Sequence, residues 1–318
     1  MKHLPLVPFT IALAAAATRL HASEQIFPET YLSETLPRGG LEAEEQLTYR
    51  EGKSNGTYNL LLTRTELEFG VTDRWLTALY VNTYSVNAHN DNSNASRVDY
   101  SSSGGDGDEI TGGGPGTFGA YVPNASTFPI PAAHYSKTDF DSASFETLYN
   151  FLSPYADGVG LTGYFEYTYG NHSQEVEFKG LLQKNLRDDA VILAANLAVE
   201  LERNSYSLTS TDKETEVELT GGASLRISRH LRAGFDARNV QGFTGYSLAT
   251  GNHAYSAWFA GPMISGSFGK FFAVLGYQRQ LPWATGFNHA NQVEQVGGLN
   301  YFEFEKNFAR LKFGLTLH

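Results

Sequence analysis

The sequence predicts an all-β protein: a transmembrane antiparallel β-barrel of about 12 strands, exported behind an N-terminal signal peptide. Three observations carry that expectation. Apolar and polar residues alternate with a period of two along many segments. The connections between those segments sort by parity into short and long ones. No stretch offers the run of about 18 apolar residues that a membrane-spanning helix needs. A chain in lipid without such a helix must close its backbone hydrogen bonds in a barrel.

The chain opens with Lys2 and His3, an apolar run over 4–17, and a polar stretch from Ser23. This is the layout of a signal peptide cleaved after Ala22, although Pro5 and Pro8 interrupt the run and Leu20 is large for its place. Residues 23–38 then read as a periplasmic lead, and 39–318 as the barrel. The composition agrees, with 32 Gly, 18 Tyr, 21 Phe and no Cys in 318 residues. A large closed sheet needs no disulfide staples.

Strands are expected near 40–50, 58–71, 75–87, 143–153, 159–170, 174–185, 190–203, 213–228, 230–240, 253–266, 270–281 and 307–317. Alternation is clearest around Val176, Phe178 and Leu182, opposed by Glu175, Glu177 and Lys179. It recurs where Val217 and Leu219 oppose Glu216 and Glu218, and where Leu311, Phe313 and Leu315 oppose Arg310 and Lys312. From the second connection onward the even-numbered ones are short. The odd-numbered ones are mostly longer, and the longest is an external loop over 88–142. Outer-membrane barrels sort their loops in this way, whereas a soluble sandwich has no reason to. Tyr49, Tyr58, Trp75, Tyr80, Tyr84, Tyr155, Tyr169, Tyr255, Trp258, Tyr277 and Trp283 fall near strand ends, as interfacial girdles would. Glu45 breaks the pattern by sharing a face with Ala43 and Leu47, which implies a bulge or a shifted register in the first strand.

The inward rows carry the candidate functional residues. Arg64, Glu66, Glu68, Glu175, Glu177, Lys179, Glu200, Glu202, Glu216, Glu218, Arg226 and Lys312 are expected to line the lumen, with Glu42, Glu44, Arg50, Glu166, Arg232, Asp236 and Arg238 beside them. Such rows either interlock to fill the barrel or form a polar pore that favours cations or small polar solutes. Chemistry is harder to place. The mature histidines are His89, His134, His172, His230, His253, His289 and His318, and none sits in a recognisable nucleophile or metal motif. No catalytic residue, metal site or cofactor is therefore assigned. The acidic glycine-rich segment 104–109 lacks the spacing of a calcium loop and reads as solvated surface. Removing Lys2 and Arg19 with residues 1–22 takes the formal charge from −11 to −13, which argues against a nucleic-acid partner.

Several short motifs carry a resemblance. They are Leu36-Pro37-Arg38-Gly39-Gly40, the run Glu45 through Arg50, the run Arg64 through Arg74, Leu182-Gln183-Lys184-Asn185-Leu186, and Phe259-Ala260-Gly261-Pro262. Together they resemble an uncharacterised family of Gram-negative outer-membrane porin-like barrels. The resemblance spans most of the mature chain and brings no catalytic residues. It implies the fold and a location in the outer membrane. Outer-membrane lipid and the barrel-insertion machinery are the expected partners, and the charged inner rows make small polar solutes or ions the expected cargo. One departure stands out: such barrels usually end in an aromatic residue, and this chain ends Leu317-His318. The expected function is passive transport through a porin-like channel, not catalysis. A structural or ligand-binding barrel with an occluded lumen is the alternative, and an outer-membrane lipid hydrolase a more distant one. Intact-mass analysis of protein purified from membranes should find a mature chain that begins at Ser23; retention of residues 1–22 would contradict the signal-peptide reading.

Overall fold

The computed structural model describes residues 25–52, 57–89, 134–170, 173–207, 210–286, 295–296, 298–300 and 304–317. Twelve long strands form one closed antiparallel barrel. They are β1 (Leu41–Glu51), β2 (Thr57–Thr72), β3 (Trp75–His89), β4 (His134–Leu152), β5 (Gly160–Gly170), β6 (Ser173–Leu186), β7 (Val191–Ser207), β8 (Ser210–Arg226), β9 (Leu231–Thr244), β10 (His253–Phe268), β11 (Phe271–Gly286) and β14 (Asn307–Thr316). Between the last two lies a small hairpin of β12 (Gln295–Val296) and β13 (Leu299–Asn300), which the sequence reading did not anticipate. Each of the twelve long strands pairs with the next long strand along the chain, β11 with β14 past the hairpin, and β1 pairs with β14 to close the ring, so the barrel has no open edge.

The two faces separate as the alternation requires. Leu67, Phe69, Leu79, Phe145, Phe178, Leu197, Leu219 and Leu275 stand exposed on the outer wall, where an apolar medium would meet them. Inward positions are buried and largely polar. The aromatic girdle is only partly as expected. Tyr49, Trp75, Tyr155, Tyr169, Tyr277 and Trp283 are exposed, and Trp258 packs edge-on against Trp283. Tyr58, Tyr80, Tyr84 and Tyr255 instead point into the lumen and are buried. They occupy inward positions of their strands, and parity overrides closeness to a strand end. Toward the long-connection end two apolar clusters therefore line the interior, one around Tyr58, Leu60 and Tyr84, the other around Tyr255, Phe259, Phe304 and Phe308.

Two further expectations are corrected. β4 starts at His134, nine residues before the expected start at 143, and β3 runs to His89. The long external connection is thus 90–133, which lies outside the described residues together with 1–22. Alternation hides the start of β4 because a register shift opposite Asn82/Thr83 buries both Asp141 and Ser142, which flips the parity there. Glu45 needs neither a bulge nor a slip. The pairings of β1 with β14 and β2 run unbroken through it, and it faces outward, accepting a 2.8 Å hydrogen bond from Thr65 Oγ1 on β2.

The short-turn end is tight. β6 and β7 are joined through Arg187, Asp188 and Asp189, all three left-handed with φ of 53°, 52° and 61°. That conformation costs roughly 1 kcal/mol or more per non-glycine residue. Two guanidinium groups offset it: Arg226 Nη2 donates to the Asp188 carbonyl at 2.8 Å and Arg232 Nη2 to that of Asp189 at 2.7 Å.

A carboxylate facing lipid is a cost that one threonine hydroxyl only partly offsets. Glu45→Leu should raise the unfolding free energy of vesicle-embedded protein by about 1–2 kcal/mol in urea titrations. An unchanged or lower stability would mean that this face is not lipid-exposed.

Candidate functional site: a carboxylate-lined lumen with an internal strap

The register of the sheet aligns inward glutamates into lateral rows. In one row Glu42 pairs with Glu68, Ala78 follows, and then Glu146, Glu166, Glu177, Glu200 and Glu216 lie directly opposite one another. Eight consecutive strands thus present seven glutamates with a single alanine between them. The adjacent row carries Glu44, Glu66, Glu175, Glu202 and Glu214, with Tyr80, Ser144 and Thr168 filling the middle. Like charges directly opposite across a sheet repel, so these rows are held by what surrounds them.

Hydroxyls supply part of that support. Tyr164 Oη donates to Glu146 Oε2 at 3.0 Å and also reaches Glu166, whose other oxygen accepts from Thr168 Oγ1 at 2.8 Å. Ser173 serves Glu175 at 2.6 Å, Tyr255 serves Glu214 at 2.5 Å, and Thr316 serves Glu42 at 2.8 Å. The cations facing the two rows are Arg64, Lys179, Arg310 and Lys312. Lys179 Nζ lies 3.0 Å from Glu177 Oε2, and Arg238 Nη1 lies 3.7 Å from Glu218 Oε2. Among the described residues six inward cations, these four with Arg50 and Arg238, stand against the twelve glutamates of the two rows, an excess of acid.

Eleven of the twelve residues assigned to the lumen from the sequence lie there. Arg226 is the exception: it is exposed at the short-turn rim, bonded to the β6–β7 turn. His230 also sits at that rim, its Nδ1 3.0 Å from the Ser267 carbonyl oxygen, and His253 packs edge-on against Phe243. His172, His289 and His318 lie outside the described residues. Among the described residues no group of three or more His, Asp or Glu is arranged to hold a metal ion.

The expected periplasmic lead is not outside the barrel. Residues 25–38 run through the lumen at the short-turn end, with Phe27, Thr30, Ser33 and Leu36 fully buried. The strap forms no strand and bends at 27–29 and at Ser33, and from Glu29 to Ser33 side chains of the wall take its backbone groups in alternation. Asp236 on β9 accepts from the Glu29 N–H at 2.8 Å and from Thr30 Oγ1 at 2.6 Å. Asn196 on β7 accepts from the Tyr31 N–H at 2.6 Å and donates to its carbonyl at 3.0 Å. Gln183 on β6 accepts from the Ser33 N–H at 2.9 Å, and Thr162 and Asn150 donate to the Ser33 carbonyl. Glu29 pairs with Arg310 at 2.8 Å. Tyr31 enters the cation group itself: Arg64 donates to its hydroxyl at 3.3 Å, while Lys179 and Lys312 each stand 4.9 Å from its ring. Its apolar neighbours Ile26, Phe27, Leu32 and Leu36 pack on Ile192, Ala194, Met263, Leu76, Leu148 and Leu181. With the strap in place, the cavity left beside Glu29 and Tyr31 is about 40 Å³.

This segment was missed because extended residues without alternation read as linker. One signal was present. Toward the short turns the inward glutamates of β4, β6 and β7 give way to Asn150, Gln183 and Asn196 and those of β2, β5 and β8 to Gly70, Gly160 and Gly222, while β9 and β11 place Asp236 and Gly276 inward.

Architecture and inner wall define the class: a transmembrane antiparallel barrel of the outer-membrane type. The chain belongs to a family of unknown function, DUF6662, whose model matches residues 19–317. No curated protein matches it. Among solved structures it is similar to the COG4313 outer membrane channel from Pseudomonas putida F1, with a TM-score of 0.56 and 10% identity over 90% of this chain and 98% of that one. The NanC porin gives a TM-score of 0.49 at 10% identity, covering 86% of this chain and 100% of that one. The translocator domain of the autotransporter NalP from Neisseria meningitidis gives 0.44 at 10% identity, over 87% of each. At this identity the first likeness shows the fold alone.

Asp236→Ala removes the acceptor of both the Glu29 N–H and the Thr30 hydroxyl, and such buried donors left without a partner cost about 1–3 kcal/mol each. The variant should therefore be about 2–6 kcal/mol less stable toward urea than the parent. An effect below about 0.5 kcal/mol would show that the strap is not docked in solution.

Proposed function

We propose that the protein is a porin-like passive channel of the outer membrane, passing small polar solutes and ions and favouring cations over anions. The observation that carries the reading is the seven-glutamate row. An enclosed surface with excess acid raises the local concentration of positive solutes and repels anions, as charged rings do in cation channels. Structural purpose alone would be served better by alternating signs, since opposite-charge pairs stabilise a sheet and like pairs weaken it. The outer wall meets outer-membrane lipid, reached by export behind the signal peptide and insertion by the barrel machinery. The reading assigns no catalytic step.

A second reading, a structural or ligand-binding barrel with an occluded lumen, is favoured by one observation, the strap across the lumen. Bilayer recordings separate the two. Under a KCl gradient, openings of the purified protein should reverse at a potential of the sign set by the cation, and the triple variant Glu166→Gln, Glu177→Gln, Glu200→Gln should move that potential toward zero by about half. An anion-selective or unselective current overturns the role of the row. A protein that never conducts, with its strap docked or displaced, is the occluded barrel instead.

A further inference from the structure

We infer that residues 25–38 are the gate of this channel, a tethered strap that shuts the short-turn half of the lumen when docked and opens it when displaced. The inference rests on the channel reading above and specifies its regulation. When docked, the strap stands in the lumen with Phe27, Thr30, Ser33 and Leu36 fully buried, and the cavity left between Tyr31, Arg64, Lys179 and the glutamates of the row is about 40 Å³, room for a few waters. A strap seated in this way stands in the path of a hydrated solute.

The way the strap is held suits release. From Glu29 to Ser33 its backbone groups bond to side chains of the wall, so it can leave without breaking a bond between strands. Among the described residues, the bonds that tie it to the sheet backbone come at its end, where Gly39 and Gly70 pair beside the start of β1. A pivot is present there as well. Gly39 has a φ of 77°, and Gly40 turns back on the Pro37 carbonyl at 2.8 Å, so the two glycines join an internal strap to a fixed strand. Beside the strap, toward the short turns, lies an open cleft of about 640 Å³ into which it can withdraw.

The wall is also cut to receive it. A methyl group at Gly222 would stand 2.5 Å from the Phe27 ring, and one at Gly276 or Gly160 would overlap Pro28 or the Ser33 hydroxyl. Within a strand glycine is a poor choice unless another part of the chain must come close. Three inward glycines facing three successive parts of one peptide therefore mark a docking track. Docking also withdraws cations from the conducting surface, because Tyr31 engages Arg64, Lys179 and Lys312 together.

The test uses the full mature chain, which carries no cysteine of its own. A side chain placed at Gly160 would have its Cβ 3.0 Å from Ser33 Cβ, within about half an ångström of the spacing a disulfide needs. Protein carrying Ser33→Cys and Gly160→Cys, oxidised and reconstituted in planar bilayers, should be silent and should regain openings on addition of reductant. Gly222→Val with Gly276→Val, which crowds Phe27 and Pro28 out of their notches while suiting a strand, should raise the mean current about tenfold over the parent. Its unboiled gel mobility reports whether the barrel has formed; if it has not, the cysteine pair decides. Equal currents from the tethered protein before and after reduction overturn the gate and leave the channel standing. Silence of both the reduced pair and the folded notch-filled protein removes the channel, and the gate with it.

Discussion

Closing the sheet puts every second side chain of twelve strands into one enclosed interior, and whatever charge stands there must be balanced inside the same space. This constraint organises the molecule. Seven glutamates in one row and five in the next repel across short distances, and bulk water does not screen them as it would on an open surface. Tyrosine, serine and threonine hydroxyls donate to individual carboxylates, and a few cations lean between the rows. The balance remains acidic, and the proposed preference for cations follows from that excess.

The strap is part of the same balance. It brings one more carboxylate, Glu29, and gives it to Arg310, and it brings a neutral tyrosine into the group of cations that faces the rows. The Glu29 N–H and the Thr30 hydroxyl also serve Asp236, a buried carboxylate that gains two donors from the strap. The peptide is therefore a polar complement to the wall as much as an apolar filling. Burial of Phe27, Leu32 and Leu36 fixes where it lies, and the hydrogen bonds fix its register.

Much of this architecture was legible in the amino-acid order, because a period of two reports a sheet with one wet and one dry face wherever it occurs. Glu175, Glu177 and Lys179 against Val176 and Phe178 place a strand and orient it, and the parity of the loops turns a set of strands into a barrel. What periodicity cannot give is the content of the lumen. Tyr80 and Tyr255 look like girdle residues until the register sends them inward. The parity flip at Asp141 and Ser142 erases the pattern at the start of β4. The strap has no alternation to read, and its path is set by amides and glycines on strands far away in sequence. The row of glutamates was visible strand by strand, but its alignment into a ladder is a property of the pairing and not of any one segment.

The strap's double role links robustness to permeability. Two of the four apolar clusters inside the barrel exist only because this peptide supplies half of each or joins them. An emptied barrel would keep its ladder bonds but lose that internal buttressing, and its wall would be easier to deform. Variation that makes the interior leakier should therefore also make the protein softer, so selection for flux and selection for endurance pull on the same few side chains in opposite directions.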